Sequence, residues 1–129
     1  MEVFILPTVK IHIPSTVLIS ERPTLVKEAM KLLDESSKKY AVLQAAEKNS
    51  GDCWQVILYD ALPQHRGSHS AISDSFAFIE ILLPQGMSPT DKKQLMGDIC
   101  AMVAKYTKLP LPAVSCCTFE YGEENWYSA

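Results

Sequence analysis

Several residues of this 129-residue chain could move protons, hold ligands or attack an electrophile. His65 and His69 flank Arg66 in the polar run Leu62–Ser75. Histidines four apart make a ligand pair on a helix, but these lie in a Gly/Ser-rich loop with no third ligand evident. Cys116 or Cys117 could serve as a nucleophile only with a histidine base beside it. Adjacent on an expected strand, they point to opposite faces, and a buried strand cysteine is the simpler reading. With Cys53 and with Cys100 on a helix's apolar face, they form neither a disulfide framework nor a C-x-x-C pair. Glu120, at a strand end, either orients a substrate or water or is an exposed terminal acid. Trp126 either walls an active site or anchors a C-terminal hairpin. His12, on a strand's polar face, reads as a surface or interface residue. These spacings call for no metal and no cofactor.

The elements that must position these residues come in two copies. Pro14 lies seventy positions before Pro84, and in that register Val9, Ile11 and Ile13 fall on Ile79, Ile81 and Leu83. Leu25, Val26, Ala29, Met30, Leu32 and Leu33 fall on Leu95, Met96, Ile99, Cys100, Met102 and Val103. Every pair is apolar, so a single folding solution serves both halves. Thr8–Ile13 alternates polar and apolar, the period of a half-buried strand, and Pro7 before it marks a strand beginning or edge. A helix is expected over 22–35, and 38–47 extends it or forms a second piece. After the turn residues Asn49–Asp52, 54–60 reads as a strand and 62–75 as a long loop.

The second copy is cleaner. Phe76–Leu83 is nearly all apolar and reads as a strand buried on both faces. Ser88, Pro89 and Asp91 open a helix over 89–106, as N-cap, first helical residue and first-turn acid. Leu109-Pro110 stops it, and 113–120 is the last full strand. A helix joining two strands of one sheet implies a parallel, right-handed crossover. The fold class is therefore α/β: a duplicated β-α-β unit giving a four-stranded mixed sheet with two helices on one face. One domain, 1–129, would hold repeats at about 7–70 and 76–129. Phe76, Phe78 and Leu82 would project from the uncovered sheet face, so an oligomer is expected.

Composition narrows the partners. A net charge of −3 with scattered Lys and Arg disfavours nucleic acid and anionic membranes. No apolar run approaches the ~20 residues that span a bilayer, and Met1–Leu6 lacks the basic start of a signal peptide. The cysteine usage suits a reducing cytoplasm.

The stretch Phe78-Ile79-Glu80-Ile81-Leu82-Leu83-Pro84-Gln85-Gly86-Met87-Ser88, its helix, Val114–Glu120 and Asn125-Trp126 resemble the tautomerase superfamily. That group includes 4-oxalocrotonate tautomerase, the cis-3-chloroacrylic acid dehalogenases and macrophage migration inhibitory factor. The resemblance covers nearly the whole chain and implies a fused two-repeat member, typically a trimer. It implies proton transfer on a small keto, enol or unsaturated carboxylic acid by an N-terminal proline amine, its pKa lowered by an apolar pocket. Pro7, in Pro7-Thr8-Val9-Lys10-Ile11-His12-Ile13, is the proline that matches. It also implies an arginine after the first strand of a repeat to pair with the substrate carboxylate. This chain has Val17 or Leu18, and Met87, at those turns, so Arg66 or Lys10 takes that role, with Trp126 excluding water.

Position 2 is Glu, and Pro7 follows Leu6, so its nitrogen as written is an amide without basicity. Either the mature chain begins at Pro7, or Met1–Leu6 belong to it and have ended the proline chemistry. Hence two functions stand beside each other: a proline-dependent tautomerase, and a catalytically silent protein of the same fold that binds ligands or assembles. An unrelated ferredoxin-like ligand-binding module is the third reading.

Overall fold

The computed structural model describes residues 7–50, 54–61 and 75–125. Its elements are β1 (Thr8–Pro14), α1 (Arg22–Lys39), α2 (Ala41–Ser50), β2 (Gln55–Ala61), β3 (Ala77–Pro84), α3 (Pro89–Thr107) and β4 (Val114–Tyr121). The strands form one sheet in the order β2-β1-β3-β4. β1 and β2 run parallel, as do β3 and β4, while β1 and β3 meet antiparallel at the centre. Two β-α-β units are thus joined edge to edge, with their helices on one face.

The duplicated apolar pattern becomes a duplicated core. Val9, Ile11 and Ile13 on β1, and Ile79, Ile81 and Leu83 on β3, are at most 1% exposed. Leu25, Ala29 and Leu33 on α1 press on that face beside Leu95, Ile99 and Val103 on α3. Residues 21–33 and 91–103 have the same order of buried, half-buried and exposed positions, residue for residue. At the centre Lys10 pairs with Glu80, its own counterpart in the seventy-residue register. A pseudo-two-fold axis therefore passes between these two residues.

The units differ in three places. Ser88 caps α3, its Oγ accepting from the Asp91 N–H at 3.1 Å, as the Ser-Pro-x-Asp pattern predicts. Leu18 occupies the matching position of the first unit, offers no acceptor, and is followed by a 3-10 turn at Ile19–Glu21. α1 also runs past the expected 22–35, to Lys39, where extended Tyr40 separates it from α2. Finally, Gln55 sits beside Thr8 as Ser115 sits beside Phe78, so the second strands correspond at sixty residues rather than seventy. The ten residues of α2 make up the difference.

Within a single chain Phe76–Leu83 is buried on one face and half-covered on the other. β3 spans Ala77–Pro84 and alternates buried and half-buried residues, because helices cover one side alone. Phe78, Glu80 and Leu82 belong to the uncovered side.

Candidate active site

Pro7 is buried immediately before β1, in phase with the core residues Val9 and Ile11. Its carbonyl accepts the Gln55 N–H at 3.0 Å, tying it to the start of β2. Continuing the β1–β3 register places Leu83 beside Pro7, and Glu120 pairs with Leu83. Pro7 and Glu120 thus share one end and one face of the sheet, two strand spacings or about 10 Å apart.

The right-handed crossover returns α1 to this same end. There Trp54 Nε1 donates to Ser37 Oγ, which donates to the Leu33 carbonyl at 2.9 Å. The hydroxyl of Tyr40, a residue only 5% exposed, has no hydrogen-bond partner among the described residues. Val42 of α2 closes on the turn after β3: a Cβ added to Gly86 would lie 3.6 Å from its Cγ2. Gly86 holds φ at +110°, a conformation that glycine adopts without strain. Met87, in the next position, is buried and presents no charge. Pro7 is thus buried in register with apolar Leu83, at the end of the sheet to which Tyr40 and Met87 also belong.

The cation at this end is one that sequence reasoning passed over. Lys92, in the first turn of α3, places Nζ 2.6 Å from Glu120 Oε1. Its counterpart in the first unit is Arg22, whose Nη1 lies 2.9 Å from Asp60 Oδ2. Seventy residues separate the two cations and sixty the two acids. That register was the available signal, but a lone lysine on a helix otherwise reads as solvated surface.

Lys10 lies on the other face of the sheet from Pro7. It is in phase with His12, which stacks on Tyr59 with centroids 4.9 Å apart and meets Glu80 Oε2 at 3.2 Å. Ile57, Tyr59 and Phe119, each at least 40% exposed, surround this polar centre. Arg66 and Trp126, with His65, His69 and Cys53, lie outside the described residues. The structure therefore brings Pro7 and Glu120 together and sets Lys10 apart.

Cys116 and Cys117 do face opposite sides of β4. Cys116 meets Cys100 of α3, and their hydrogen bond holds the Cys100 thiol below its ordinary range. The same bond, aided by burial, pushes Cys116 up. Cys117 is also raised, by burial and then by the charge of Glu80. A raised pKa leaves little thiolate for nucleophilic attack by Cys116 or Cys117. Among the described residues no group of three acids, histidines or cysteines is placed to hold a metal, and no helix is long and apolar enough to cross a membrane.

No protein-family profile and no curated protein sequence matches this chain. Solved structures do. Pt0534 inactivated by 2-oxo-3-pentynoate matches at a TM-score of 0.76 and 13% identity, over 95% of this chain and 91% of that one. A fused 4-OT in a symmetric trimer matches at 0.71 and 14%, over 88% and 85%. The macrophage migration inhibitory factor-like protein of Entamoeba histolytica matches at 0.70 and 14%, over 96% of both chains. The chain has the tautomerase-superfamily fold. Its two β-α-β units are carried on one polypeptide, the arrangement of the fused form.

Proposed function

We propose that this protein is a tautomerase-type proton-transfer enzyme acting on a small keto, enol or unsaturated carboxylic acid, with Pro7 as its base. The burial of Pro7 at the head of a central strand, in register with apolar Leu83, carries the reading. A secondary amine there is desolvated, which disfavours its charged form and brings its pKa down toward neutrality. Such an amine takes a proton from the carbon beside a carbonyl and returns it to the far end of the enol. Lys10, across the sheet from Pro7, is set aside for the carboxylate; Arg66 is the candidate from the sequence for that contact, Glu120 orients the substrate or a water, and Trp126 excludes solvent. The inactivation of Pt0534 by 2-oxo-3-pentynoate points to a 2-oxo acid as the first probe.

The chemistry requires a free nitrogen at Pro7. A chain beginning at Pro7 should catalyse keto–enol exchange of an arylpyruvate, and the full 129-residue chain should not. Pro7→Ala in the active form should cost about 10²–10⁴-fold in rate, the usual contribution of a general base. Equal activity of the two forms would remove Pro7 from the mechanism.

The second reading, a catalytically silent protein that binds or assembles, is favoured by Leu6 preceding Pro7. Inactivity of both forms would establish it. Under either reading we propose one domain, with units at about 7–70 and 76–129. Three copies join through the open sheet face, as suggested by the trimeric fused 4-OT. A monodisperse monomer in light scattering would exclude that assembly. A reducing cytoplasm suits the free thiols Cys100, Cys116 and Cys117.

A further inference from the structure

We propose that Lys92 is the carboxylate anchor of the Pro7 site and that Glu120 is the positioning residue that holds its ammonium there. The inference rests on the Pro7 reading for the reaction but not for the binding. Lys92 lies beyond the turn that follows β3, at the end of the sheet where Pro7 begins β1. Its partner Glu120 shares the face of Pro7 and stands two strands away. A short-chain acid laid across the end of β3 would reach both groups.

The pseudo-symmetry supplies a control within the molecule. Arg22, the counterpart of Lys92, spends its guanidinium on the fold: Nη1 donates to Asp60, Nη2 to the carbonyls of Ser15 and Val17, and Nε to Val17. Lys92 makes one side-chain bond among the described residues, to Glu120 at 2.6 Å. An ammonium has three donors, so two remain for a ligand carboxylate. The lysine side chain is 25% exposed, which leaves it reachable. It also sits in the first turn of α3, where the helix dipole adds positive potential against the charge of Glu120. The sequence at the first unit's turn thus builds a clamp, and the second unit's builds a clamp with donors to spare.

Binding of 3-phenylpropionate, an unreactive carboxylate, is measured by calorimetry on the full chain and on the chain beginning at Pro7. Lys92→Met should weaken binding at least tenfold in whichever form binds, and Lys92→Arg should retain it. Arg22→Met should leave the affinity unchanged while lowering the unfolding midpoint, which separates binding from mere loss of a clamp. Glu120→Ala, which frees the ammonium, should weaken binding. Glu120→Gln, which keeps an acceptor but removes the competing charge, should bind at least as tightly as the parent. In turnover of an arylpyruvate, Lys92→Met should raise KM with kcat nearly unchanged, the mark of an anchor equally engaged in ground and transition states. It should leave KM for the methyl ester untouched. Lys92→Met binding as the parent does, or a parent that binds no carboxylate in either form, overturns the assignment. Binding that depends on Lys92 without turnover upholds it and removes the proline reading instead.

Discussion

Cys100 and Cys116 meet between α3 and β4, where the first unit places Met30 and Val56. The two pairs occupy corresponding ground, so the apolar pair shows what the fold accepts there. Cys116→Val should therefore change stability by less than about 1.5 kcal/mol, as volume-conserving swaps do. Its chemical effect should be larger. Without the Cys116 hydrogen bond the Cys100 thiol rises, less thiolate is present at neutral pH, and alkylation by iodoacetamide slows. The pH at half-maximal alkylation rate should move upward; an unchanged profile would show that Cys116 does not hold that thiol down. At this scale the sequence was informative where a residue repeated a pattern and opaque where it acted alone. Pro7 stood out as a candidate because it heads β1 and matches the proline of the resembling family. Lys92 did not, because its partner Glu120 is 28 residues away and only the packing of α3 on β4 brings the two together. Lys10 showed the converse: three residues from Pro7, it lies across the sheet from it, since successive strand residues alternate faces.

Helix starts are the elements where the two units diverge most usefully. Ser88→Ala should cost about 1 kcal/mol, the typical value of an N-cap serine, read as a lowered urea midpoint. Leu18 is 61% exposed and stands where the cap would be in the first unit. Leu18→Ser should raise the midpoint by supplying the side-chain cap that this turn lacks, at little loss of burial. A fall on both substitutions would mean that the two helix starts are not equivalent. Element type and order were legible throughout, because apolar periods of two and of 3.6 are hard to confuse over such lengths. What the sequence left open was whether 38–47 extends α1 or forms a separate helix, and the structure makes it the separate α2. Nothing in Lys39-Tyr40-Ala41 is a helix breaker, and the break at Tyr40 accompanies burial of its ring in the core. The double burial expected of β3 is half met within the single chain, for a related reason. An apolar strand states that it will be covered, but only the placement of helices, or of another chain, decides by what.

Over the whole molecule, the seventy-residue repeat becomes a pseudo-symmetric sheet whose centre is a Lys10–Glu80 pair. Like charges directly opposed across strands destabilise by about 0.2–1 kcal/mol. Lys10→Glu should therefore be less stable than Lys10→Gln by about that amount, and salt near 1 M should erase most of the gap by screening. Equal stabilities at low salt would mean that the two positions do not sense each other. The pair also carries historical information. A residue on a true two-fold axis meets its own copy, so two free-standing identical units could never have placed opposite charges there. One linked polypeptide can, because its halves mutate independently. Having done so, neither half can turn back to pairing with itself through this strand without setting lysine against lysine or glutamate against glutamate. The covalent join therefore acts as a one-way bias: each half now fits the other better than it fits a copy of itself, by about the 0.2–1 kcal/mol that opposed like charges cost.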